Sequence, residues 1–120
     1  MKRKLISFAA ALCAVATGAQ AQISDNLVKI GVLNDMSGVY ADIGGQGSLW
    51  AAKAAAEDYV KATGSKLKIE VIGADHQNKP DVGSNIARQW YDTEKVDAIV
   101  DVPTSFVALA ISQEIGRAHV

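Results

Sequence analysis

The sequence is short of the groups that usually announce chemistry. Cys13 is its one cysteine and His76 and His119 are its two histidines. A lone thiol builds neither a disulfide framework nor a thiolate zinc site. His76, with Asp75 and Asn78 beside it, offers one imidazole and one carboxylate, which is not a metal site of usual composition. It reads as part of a solvated loop. No G-x-S-x-G elbow and no pair of carboxylates at a strand end stands out, so no catalytic set is visible and no enzyme is expected. Gly44, Gly45 and Gly47 come too late after the first strand for a dinucleotide turn, and Gly-Lys-Ser/Thr is absent. No cofactor is therefore expected.

Basic charge is also scarce. Lys and Arg number 12 against 13 Asp and Glu, and three of the basic residues are Lys2, Arg3 and Lys4. Without the first 21 residues, 9 basic and 13 acidic side chains remain, a formal charge of −4. Nucleic acid needs a basic face, so it is not an expected partner. No repeat or low-complexity linker is visible, and only one long apolar run exists, from Leu5 to Thr17. It follows the basic triplet and precedes Ala19-Gln20-Ala21. A basic start, a short apolar stretch and a small-x-small site describe an export signal. Residues 1–21 are thus expected to be a signal peptide cleaved after Ala21, which places the rest in the periplasm. The run is too short for a stable spanning helix. Leu12 stands before Cys13, where lipoprotein processing needs a small residue.

Residues 22–120 read β-α-β-α-β-α. Alternating apolar residues predict strands at 28–33 (VKIGVL), 67–72 (LKIEVI) and 96–100 (VDAIV). An alanine-rich helix is expected over 46–61, with Leu49, Ala52, Ala56 and Tyr59 on one side and Lys53, Glu57 and Lys61 on the other. Gly64 is a candidate C-terminal cap. A second helix should run from Pro80 to about Tyr91, burying Val82, Ile86 and Trp90. Ser105 should cap a third, apolar helix over 106–111. Such alternation gives an α/β fold, a parallel sheet flanked by helices. Three strands leave that sheet unfinished, so the natural domain is expected to continue.

The last six residues, 115–120 (IGRAHV), back-translate to ATC GGA AGA GCA CAC GTC, which matches a widely used sequencing-adapter sequence. They read as adapter read-through, against a genuine helix end capped by Gly116.

Two loops carry the candidate site. The first, 34–47, is long, Gly-punctuated and follows the first strand. In open α/β sheets ligands bind at the carboxyl edge of the strands. Ser37 offers a hydroxyl, Gly38 a close backbone approach, and Tyr40 a hydroxyl and a stacking face. The second, Asp101-Val102-Pro103-Thr104-Ser105, leads into the third helix. Free N–H groups at a helix N-terminus, with the hydroxyls of Thr104 and Ser105, suit a small carboxylate. Asp101 either pairs with a ligand ammonium or receives loop amides. Trp90 is expected in the core, and Trp50 in the core or a cleft wall.

The string KIGVLNDMSGVYADIGGQGSLWAAKAAAEDYV, and later ADHQNKPDVGSNIARQWYDTEKVDAIVDVPTSFVALAI, resemble type I periplasmic solute-binding proteins of ABC importers, in the branched-chain amino acid (Leu/Ile/Val-binding) family. The resemblance covers residues 27 to about 113. It implies that residues 22–120 are part of an N-terminal lobe of a two-lobed, non-enzymatic protein that closes on a ligand and delivers it to a membrane permease. It carries ligand contact to Ser37, Gly38, Tyr40, Thr104, Ser105 and Phe106. Asp-Val-Pro-Thr-Ser replaces the Gly- and Ser-rich loop of leucine binders, which weighs against a branched-chain amino acid. The DMSGxYAD and DVPTS strings are similar to those of proteins that bind aromatic carboxylates as well as amino acids. The alternative role for the same fold is a ligand-sensing receptor or regulator domain.

Overall fold

The computed structural model describes residues 24–118; the expected signal peptide, Cys13 and His119 lie outside them. A short 3₁₀ turn, Ser24–Asn26, leads into β1 (Leu27–Asn34). Then follow α1 (Gly45–Thr63), β2 (Lys68–Asp75), α2 (Pro80–Asp92), β3 (Ala98–Val100) and α3 (Ser105–Ala118). The strands form one parallel sheet in the order β2-β1-β3. This is the expected α/β fold with helices against a parallel sheet.

The order has a consequence for function. The chain moves from β1 to β2 on one side, then crosses back to β3 on the other side of β1. The winding direction therefore reverses at β1. Loops leaving β1 and β3 part at such a point and leave a crevice at the carboxyl edge.

Strand alternation decides what each face meets. Leu33 of β1, with Ile72 and Ala74 of β2 and Ile99 of β3, packs against Ala87, Trp90, Val107 and Ile111 of α2 and α3. This is the main core, and each large apolar side chain buried there contributes roughly 1.5–3 kcal/mol. Trp90 is among its buried members, as its helical spacing implied. Its indole crosses β1 at Gly31, where a Cβ would lie 2.5 Å from the ring's Cε3. The opposite face receives α1, whose Leu49 sits over Gly73 of β2. Gly64 adopts φ 63 and donates its N–H to Val60 O, closing α1 as expected. Glu57 and Lys61 form the anticipated pair four residues apart, at 3.5 Å.

Several expectations need correction. Tyr59 is half exposed, and Val60 takes the inward position beside Ala56. Trp50 is 72% exposed, so it is not in the core, and it does not line the cleft described below. β2 runs on to Asp75 because β1 offers it partners throughout, down to Asn34 against Asp75. That extension draws His76 out of the expected solvated loop. Its backbone N–H donates to Asn34 O at 2.9 Å and its side chain is fully buried. α3 begins at Ser105 rather than after it, and continues through Gly116, which therefore caps nothing.

Candidate ligand cleft

The loop after β1 is built around two aspartates. Asp35 is buried, and its carboxylate accepts the N–H of Gly38 at 2.8 Å and of Tyr40 at 3.1 Å. A Cβ on residue 38 would fall 2.5 Å from Asp35 Oδ2, so glycine is required for this closure. Asp75, at the end of β2, accepts the Met36 N–H at 3.0 Å, the Gln77 N–H at 2.7 Å and the Ser37 hydroxyl at 2.5 Å. Burial pushes the Asp75 carboxyl up, but these hydrogen bonds and the nearby His76 outweigh it and hold the group below its ordinary value. Ser37 and Gly38 thus lock the loop in place.

What the locked loop presents is Tyr40, Ile43 and Gly44. Together with Ser48 of α1 and Asp101, Pro103, Thr104, Ser105 and Phe106 after β3, they line a cleft of about 450 Å³. Five sequence-predicted residues meet here: Tyr40, Asp101, Thr104, Ser105 and Phe106. Ser37 and Gly38 are not in the lining.

Both α1 and α3 begin at this cleft. Gly44 precedes α1, and no side chain caps that end. Thr104 precedes α3, and its carbonyl accepts the Ala108 N–H at 2.9 Å. Free N–H groups and the partial positive charge of both helix ends therefore stand at the cleft. Thr104 is only 5% exposed, yet its Oγ1 has no hydrogen-bond partner among the described residues. A buried hydroxyl left unpaired costs about 1–3 kcal/mol. Tyr40 and Phe106 keep about half their surface open.

Asn34 joins the two sides. It is fully buried at the end of β1. Its Nδ2 donates to Asp101 Oδ2 at 2.7 Å and to Gly45 O, the first residue of α1, at 3.3 Å. Asp101 therefore receives a side-chain amide rather than loop amides. Its backbone stands at φ 57, a left-handed conformation that aspartate tolerates better than most residues. Sequence reasoning missed Asn34, Ile43 and Ser48. The available signal for Ser48 was its place one turn into α1, four residues after Gly44.

Among the described residues, no group of three His, Cys, Asp or Glu side chains is placed to hold a metal ion, and no helix is long and apolar enough to cross a membrane.

Comparison with known proteins agrees with this architecture. Residues 27–120 match a family model described as periplasmic binding protein. No curated protein matches. A periplasmic binding protein from Burkholderia mallei is 44% identical with a TM-score of 0.69, over 77% of this chain and 24% of that one. A branched chain amino acid ABC transporter periplasmic ligand-binding protein from Burkholderia xenovorans is also 44% identical, with a TM-score of 0.68 over 76% and 24%. The solute binding protein of an ABC transporter from R. palustris, solved in complex with benzoate, is 27% identical with a TM-score of 0.58 over 77% and 25%. The chain thus spans about a quarter of the length of each. Its parallel sheet with flanking helices is part of the type I fold of these proteins. The chain belongs to the periplasmic binding protein family.

Proposed function

We propose that the cleft captures a small carboxylate-bearing solute, an amino acid or an aromatic acid, as the substrate-binding component of an ABC importer. One observation carries the reading: Thr104, a residue of the cleft lining, has a buried Oγ1 with no hydrogen-bond partner among the described residues, beside the free N–H groups that open α3. A ligand carboxylate accepts from both. Ser105 adds a second hydroxyl, and Tyr40 and Phe106 pack against the body of the ligand. The benzoate of the R. palustris neighbour has this chemistry.

In this reading residues 1–21 export the protein to the periplasm and are removed after Ala21. A second lobe, from the part of the fold that the relatives' greater length supplies, closes over the ligand. Closure follows a population shift, since the ligand contacts the closed state more than the open one. The loaded protein then docks on its permease. The role is capture, not catalysis.

The test is thermal unfolding of the full-length protein against a panel of amino acids and aromatic carboxylates. A true ligand at a hundred times its Kd adds about 2.7 kcal/mol of stability. Stabilisation by at least one carboxylate, weakened in Thr104→Val, is expected. No stabilisation by any of them, or unchanged affinity in that variant, sinks the proposal.

A further inference from the structure

Among the described residues, the carboxylate of Asp101 has no cation to answer it. It is the one acidic side chain in the cleft lining, and that lining has no Lys or Arg. The ion pairs among the described residues, between Lys29 and Glu70 or Glu94, Lys61 and Glu57, and Arg88 and Glu114, all leave Asp101 out. Its one hydrogen bond among those residues comes from a neutral amide, Asn34 Nδ2, to Oδ2. A carboxylate has about four acceptor positions, so capacity remains, centred on Oδ1.

Asn34 fixes where that capacity is offered. It is fully buried and tied at the same time to the start of α1. It thus holds a charged side chain, on a left-handed residue, at one position on an otherwise uncharged cleft. A ligand whose only polar group is a carboxylate would bring a like charge into the same 450 Å³. A ligand that also carries an N–H or O–H donor turns this repulsion into a charge-assisted hydrogen bond.

We propose that Asp101, positioned by Asn34, is the specificity-determining residue of the cleft and selects carboxylates that also bear a hydrogen-bond donor, an ammonium or a hydroxyl. The inference rests on the carboxylate-capture reading and adds a selection rule to it.

The experiment is calorimetric titration of the full-length protein with two matched pairs: benzoate against 4-hydroxybenzoate, and 4-methylpentanoate against leucine. The donor-bearing member of at least one pair should bind on the order of tenfold to a hundredfold more tightly. Asp101→Gly, which suits the left-handed backbone, should erase that preference while leaving the donor-free ligand bound at least as well. Asp101→Asn separates the two donor types. Its amide oxygen still accepts from a hydroxyl, so a phenol keeps much of its advantage, whereas an ammonium loses it. Asn34→Ala should shrink the preference, with circular dichroism confirming a folded protein. Equal binding within both pairs, or a preference that survives Asp101→Gly, overturns the selection rule while leaving carboxylate capture standing. Failure of every ligand to bind the wild type overturns both.

Discussion

Asn34 and Asp101 stand 67 positions apart in sequence, yet the amide of the first donates to the carboxylate of the second at 2.7 Å. The same amide holds the carbonyl of Gly45, so one buried side chain ties the exit of β1 to both walls of the cleft. Asn34→Ala removes both bonds and leaves the Gly45 carbonyl without this donor. Chemical denaturation of the full-length protein should show a loss of about 1–3 kcal/mol. A change under a few tenths would mean that the bridge is not a structural tie.

The packing of Trp90 on Gly31 predicts a larger and more specific effect. A methyl at residue 31 overlaps the indole. Gly31→Ala should cost about 1–3 kcal/mol, the usual range for forcing volume into a packed core. Shrinking the ring in Trp90→Leu is destabilising alone, but it opens room for that methyl. The double variant should therefore be more stable than the sum of the two losses implies. Simple additivity in denaturation midpoints would show that residue 31 and the ring do not meet.

Much of this fold was legible in the sequence because its elements are strongly patterned. Val82, Ile86 and Trp90 repeat at helical spacing, and α2 buries Trp90 as that stripe implies, although Val82 and Ile86 are only half-buried and Gly83 and Ala87 complete its inward face. The Gly64 cap was legible for the same local reason. His76 was not, because its burial is decided by a non-local event: β1 continues to Asn34, β2 pairs with it to Asp75, and the ring follows inward. The site divides the same way. Tyr40, Asp101, Thr104 and Ser105 could be nominated from loops at strand ends and Phe106 through the family resemblance, and all five share one cleft. Ser37 offers the same hydroxyl on paper, but it is engaged by an aspartate 38 residues away. No local pattern announces that partner.

The buried His76 gives the protein an acid sensitivity with a definite sign. Burial pushes its imidazole below the ordinary value of about 6.5, and the nearby Asp35 and Asp75 only partly oppose this. Its Nδ1 accepts the Asn78 N–H at 2.9 Å, which requires that nitrogen unprotonated. The unfolded chain therefore takes up a proton before the folded one does. The stability His76 contributes is fully present above about pH 6.5 and is lost as pH falls through the folded value. The slope is at most about 1.4 kcal/mol per pH unit, for one proton. Asp75, also held low, adds a second loss below about pH 4. In His76→Asn, whose side chain can still accept the residue 78 N–H, the fall between pH 7 and 5 should flatten. Equal slopes for both proteins in urea titrations across that range would remove His76 as the cause.

Thr104 should show stability and binding moving in opposite directions. Its Oγ1 is buried without a hydrogen-bond partner among the described residues, so the fold bears the cost of desolvating it. Thr104→Val keeps the shape and deletes the hydroxyl. The unliganded protein should be unchanged or up to about 1 kcal/mol more stable, because an unpaired polar group has been removed. Affinity for the carboxylate ligand should fall about tenfold, since the lost group is the one that pairs on binding. Thr104→Ser retains a hydroxyl and should keep most of the affinity while losing the packing of the methyl. A purely structural threonine would give another pattern: Val would destabilise the free protein, and the two variants would bind alike. Denaturation and calorimetry on the same three proteins decide between them, and they do so whichever carboxylate the cleft proves to take.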